Sequence, residues 1–115
     1  MRKDNDDVLF IEMVLNEISD IESYLSGVSE ERFMLNSEKQ KAVCLSIQNI
    51  GNYCSKISDE IKKTNKHIDW LNISGLRNVI AHEYGKIQMS RVWAITQNDL
   101  SQLNYDLKVI LTTFR

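Results

Sequence analysis

Apolar residues recur along this 115-residue chain at the three-to-four spacing of helices, and nowhere with the strict alternation of a half-buried strand. A first helix is predicted over Asp6–Leu25, with Val8, Ile11, Leu15, Ile18 and Leu25 on one stripe. Phe10, Val14, Ile21 and Tyr24 widen that stripe, and Gly27 ends it. Ser29 caps a short extra turn, with Val28 and Phe33 spaced as a hydrophobic staple. Ser37 and Gln40 form a capping-box pattern that opens a second long helix, Ser37–Lys63. Val43, Ile47, Ile50, Cys54, Ile57 and Ile61 follow along it at bundle-seam spacing. After a polar connection, Trp70, Ile73, Leu76 and Ile80 mark the apolar side of a helix over Trp70–Glu83. The last helix starts near Ser90, and Met89, Trp93, Thr96, Leu100, Leu103, Leu107, Ile110 and Phe114 repeat in heptads. The pattern predicts an all-α fold: an up-down helical bundle of four main helices plus a short extra helix, in a single domain over residues 1–115.

Composition narrows the classes. There are no prolines and only four glycines, so few breakers interrupt the helices. Hydrophobic residues at 43% and charged residues at 26% exclude a disordered chain. No apolar run is long enough to cross a bilayer, and no signal-peptide core follows the charged first residues, so a cytoplasmic protein is expected. Cys44 and Cys54 fall ten residues apart in one predicted helix, too far for a mutual disulfide, and read as buried thiols. The net charge of −2 argues against general coating of nucleic acid. Its distribution is uneven, however: residues 1–32 carry nine acidic and three basic groups, the remainder seven acidic and eleven basic. A basic portion on an acidic protein still steers a polyanion.

The candidate chemistry is concentrated in Arg77-Asn78-Val79-Ile80-Ala81-His82-Glu83-Tyr84, followed at once by Gly85. On a helix Asn78 and His82 share a face. Gly85 suits the residue that ends a helix, where the negative end of the dipole favours a protonated imidazole. Taken singly, these residues have ordinary explanations: a helix-terminal imidazole, an Arg77 ion pair with Glu83 or Asp69, a packed tyrosine ring. Trp70 and Trp93 read as core rather than stacking platforms. Metal-binding spacings, phosphate loops and nucleophile elbows are absent from the sequence, so no metal or cofactor is expected. What remains is acid–base chemistry at His82.

Arg77-x4-His82-x-Tyr84, with Asn78 directly after the arginine, resembles the R-x4–6-H motif of HEPN-domain ribonucleases, in the R-x4-H-x-Y form of the HepT toxins. The likeness extends to Trp70-Leu71-Asn72-Ile73-Ser74-Gly75-Leu76 before the motif, Val92-Trp93-Ala94-Ile95 after it, Phe33 and Ile50-Gly51. Two departures stand out: Asn52 occupies a position where that family usually has an acid, and His67-Ile68-Asp69 replaces a proline-containing approach to the tryptophan.

The resemblance implies RNA cleavage without a metal, in which the ribose 2′-OH attacks its own phosphate. His82 would move a proton, Arg77 would hold a phosphate oxygen, and Asn78 would orient the phosphate or the ring. One histidine per chain is insufficient for both acid and base. A homodimer that brings two copies of the motif to one cleft supplies both, and the wide apolar stripes independently favour a two-fold dimer. The resemblance also implies a nucleotidyltransferase antitoxin of the MntA type as partner, which transfers AMP to Tyr84 and silences the toxin. A rival class is a non-catalytic HEPN helical module that binds nucleotide, RNA or the partner transferase. A plain structural bundle subunit is the third.

Overall fold

A computed structural model describes the backbone of residues 2–83 and 88–114, and the side chains of residues 6–81 and 88–114. Helix α1 spans Arg2–Leu25, the short α2 Glu30–Met34, α3 Ser37–Ser55, the short α4 Asp59–Thr64 and α5 Trp70–Glu83. Helix α6, Met89–Ala94, runs through a π-helical turn at Ile95–Asp99 into α7, Leu100–Thr112. Among the described residues the fold is all-α, with four long helical rods and two short helices, one more than expected.

The long rods run up and down. Lys39 reaches the Tyr24 carbonyl, Asn49 the Glu17 carboxylate and Ser58 the Asp7 carboxylate, so α3 lies antiparallel to α1. Cys44 faces Ile80 while Gly51 meets Ile73 and Arg77, so α5 lies antiparallel to α3 on its other side. Residues from each rod meet in one core, from Ile11, Val14 and Ile18 through Ile47 and Ile50 to Leu76, Ile80, Leu103 and Leu107. Gly27, at φ 72°, adopts the left-handed conformation that closes α1. Ser29 then caps α2, accepting from the Arg32 amide at 3.2 Å.

Three local features differ from the sequence pattern, each for a physical reason. The cap of α3 is Asn36, whose side chain accepts from the Lys39 amide, and not Ser37. Gln40 turns back instead to donate to the Phe33 and Met34 carbonyls at the end of α2. The helix expected over Ser37–Lys63 is broken: α3 stops at Ser55, and Ser58 adopts an extended conformation as the cap of α4. The break is held by Asp7, which is 4% exposed and accepts from the Ser58 amide at 2.8 Å and its hydroxyl at 2.6 Å. In the last rod the π-helical turn shifts the seam by one residue. Beyond it Leu100, Leu103, Leu107 and Ile110 are buried as the heptads require; Val92 before it and Ile95 at its first residue take buried positions, leaving Met89 and Trp93 half-buried. Trp93 packs against Phe33, ring centroids 5.5 Å apart, which joins α6 to α2.

The Asp7–Ser58 contact therefore fastens the start of α1 to the only described break between α3 and α4. Hydrogen bonds to a buried charge contribute about 1.5–3 kcal/mol. Asp7→Ala is expected to lower the unfolding free energy by about that amount, and Asp7→Asn by less, as read by urea denaturation. Equal stability of all three proteins would show the contact to be dispensable.

Candidate functional site

The site is built where α3 and α5 come closest. Gly51 is buried, and a Cβ placed there would stand 2.9 Å from the Arg77 backbone nitrogen and 3.1 Å from both the Arg77 Cβ and the Ile73 carbonyl oxygen. Backbone atoms cannot yield at that distance, so the pairing of these helices requires glycine. The adjacent residue on α3, Asn52, accepts a hydrogen bond through its Oδ1 from the Arg77 guanidinium at 3.0 Å. Of the partners expected for Arg77 taken alone, Asp69 caps α5 by accepting from the Asn72 amide, and the side chain of Glu83 lies outside the described residues. Trp70 anchors the start of α5, buried and donating its indole N–H to the Asn65 carbonyl at 3.0 Å.

This geometry fixes the direction of Arg77 through a neutral partner. The side chain is half-exposed, and an amide oxygen takes one of its five N–H donors while adding no negative charge. Donors beyond that one are what gripping a phosphate requires. Asn78 is exposed one residue further along α5. His82 lies on the last turn of α5 by its backbone, one turn beyond Asn78; its side chain, and Tyr84 altogether, lie outside the described residues.

Other cations border the site. Lys62 lies over the Trp70 ring, 5.9 Å from its centroid, and donates to the carbonyl of Ser55, the last residue of α3. Lys41 stands near the opposite end of α3, in a recess shared with Cys44, Leu45, Gln48, Ile80 and Ala81. The sequence pattern flagged neither Lys41 nor Gln48, although Lys41, Leu45, Gln48 and Asn52 follow the spacing of one helical stripe. Cys44 and Cys54 are both buried and free, and burial pushes their thiols up to about 11 and about 12. They stay protonated near neutrality and are not nucleophiles. Among the described residues no three of His, Cys, Asp and Glu come close enough to hold a metal ion, and no helix is long and apolar enough to cross a membrane.

The chain is all-α among its described residues, with Arg77 held by an amide and a histidine position following in the same helix. Residues 14–110 match the family described as "Ribonuclease HepT-like". The chain belongs to that family. It is 22% identical over 94 residues to "Probable ribonuclease HepT" of Thermococcus cleftensis, which covers 82% of this chain and 86% of that protein. It is 24% identical over 102 residues to a protein named "Putative RNase" of Caldanaerobacter subterraneus subsp. tengcongensis, covering 89% of this chain and 91% of that one. It is likewise 24% identical over 111 residues to "Gamma-glutamylcyclotransferase and putative RNase" of Methanocaldococcus jannaschii, of whose length it spans 49%. No solved structure matches the chain.

Gly51→Ala tests the closeness on which the site is built. Alanine gains about 1 kcal/mol in helix propensity, but forced overpacking costs about 1–3 kcal/mol. The expected result is a net loss of roughly 1 kcal/mol in urea denaturation, with Arg77 displaced from Asn52. A variant more stable than the parent would mean that α3 and α5 are free to separate.

Proposed function

We propose that this chain is a metal-independent endoribonuclease, the toxin of a toxin–antitoxin pair, acting at a cleft where a homodimer joins two copies of the Arg77–His82 motif. The observation that carries the reading is Arg77, partly exposed on α5 and hydrogen-bonded to the neutral Asn52. Membership of the ribonuclease family supports it.

In the reaction, the 2′-oxygen of one nucleotide forms a bond to the adjoining phosphorus and the bond from phosphorus to the 5′-oxygen breaks. The products are a 2′,3′-cyclic phosphate and a free 5′-hydroxyl. The attacking hydroxyl loses a proton and the leaving oxygen gains one. The His82 of one protomer takes the first, and that of its partner gives the second. Arg77 contributes bidentate donors to the phosphate oxygens as negative charge builds on them. Asn78, exposed beside it, orients the phosphate or the imidazole. Substrates that lack the 2′-OH are inert. The acidic residue usual in the family would offset part of the guanidinium charge; Asn52 keeps the steering and leaves the charge whole.

Tyr84 is the proposed site of AMP transfer by an MntA-type nucleotidyltransferase antitoxin. A bulky anion placed two residues beyond His82 blocks the cleft and opposes the charge of Arg77.

Cleavage of single-stranded RNA by the purified chain is expected to survive a chelator and to vanish on 2′-deoxy substrate. Arg77→Ala and His82→Ala are each expected to reduce it roughly 10²–10³-fold while remaining folded, and Asn52→Ala to reduce it less, through misplacement of Arg77. Tyr84→Phe should cleave like the parent but resist silencing by the transferase. Undiminished cleavage by both Arg77→Ala and His82→Ala would overturn the enzyme; growth arrest by all variants alike would favour a non-catalytic binder.

A further inference from the structure

Two recesses of the same volume, about 340 Å³, open on this molecule and differ in chemistry. One lies at the start of α5, where Asp69, Asp99 and the buried Asp106 give it an acidic wall that repels a polyanion. The other lies in the α3/α5 groove and carries Lys41 but no acid among its described lining residues. Its position relative to the site is set by the helices themselves. Ala81 is one turn beyond Arg77 on α5, and Gln48 is one turn before Asn52 on the antiparallel α3. Each step is about 6 Å along the axis, so the recess adjoins the phosphate grip in the direction of the His82 turn.

The lining suits a flat heterocycle. Leu45 and Ile80 offer aliphatic faces, and Leu45 is 59% exposed. Cys44, protonated, adds a small apolar surface. Between them the Gln48 amide presents an acceptor and two donors, the combination that pairs with the edge of a base such as adenine. The volume is at the low end of small-ligand pockets.

We infer that this recess holds the nucleobase next to the phosphate gripped by Arg77, with Leu45 and Ile80 against its faces, Gln48 reading its edge and Lys41 holding the following phosphate. The assignment rests on the ribonuclease reading and adds a base preference to it.

The test uses the full-length chain and short single-stranded RNAs in which one abasic ribose is walked past the cleaved bond. On the parent protein, removing the base at one adjoining position is expected to lower kcat/KM about tenfold, and the four bases placed there to be cleaved unequally. Gln48→Ala should level that preference and remove the penalty for the abasic site, and Leu45→Trp should fill the recess and slow cleavage without altering the number of subunits in sedimentation. Retention of the parental preference by Gln48→Ala would overturn the assignment, as would the absence of any sensitive position. A changed subunit number in Leu45→Trp would also overturn it, showing that a second copy of the chain occupies the recess. If the parent cleaves no RNA, the ribonuclease reading fails separately. Fluorescence anisotropy with 2′-O-methyl strands then decides the recess alone: equal affinity for intact and abasic strands removes it.

Discussion

Two helix backbones can approach as closely as α3 and α5 do only where one of them lacks a side chain, and Gly51 supplies that place. Its missing Cβ leaves room for the Arg77 main chain and for the Ile73 carbonyl oxygen. The consequence reaches beyond packing. Asn52, the next residue, is brought within hydrogen-bonding distance of the guanidinium, and the groove that runs from there to Lys41 takes its width from the same contact. Stability and site geometry thus share one determinant, so a substitution there perturbs both together.

Local signals in the chain define most of its elements. Helix α5 occupies Trp70–Glu83 as the apolar spacing implies, because Asp69 caps its start and its buried face is regular. The seam of α3 is equally plain, with Val43, Ile47, Ile50 and Cys54 all buried. What the pattern missed depends on partners distant in sequence or on competition between neighbouring caps. Ser58 ends a helical stretch because Asp7, fifty-one residues earlier, takes its amide and hydroxyl; the sequence Ser58-Asp59-Glu60 carries a helix-start signal that the continuous apolar spacing outweighed. The π-helical turn moves the buried face of α6 by one residue and leaves no mark in a heptad pattern. At the site, Arg77 and Asn78 were legible as candidates, whereas the Arg77–Asn52 contact joins two helices and was visible only as a departure at Asn52 from the family pattern. His82 is placed by its backbone, and the side-chain geometry at His82 and Tyr84 lies outside the described residues.

Electrostatics give the small surface a polarity that its net charge of −2 conceals. A neutral group steers Arg77 on the groove, and Lys41 and Lys62 flank it from the two ends of α3. The recess at the start of α5 is acidic and holds Asp106 close to His67, 3.8 Å away, and to Gln102. The basic groove attracts anions, and the attraction weakens as salt screens it over a Debye length of about 8 Å at physiological ionic strength.

The placement of α3 between α1 and α5 has a consequence for how the molecule is made. As the chain leaves the ribosome, α1 and α3 can pair first, because every contact between them lies within the first half of the polypeptide. The helix that carries Arg77 emerges afterwards and docks on a surface already formed, with Gly51 marking its berth. A nascent chain truncated before Trp70 holds one wall of the groove and none of the guanidinium, so the order of translation itself delays the appearance of a finished cleft.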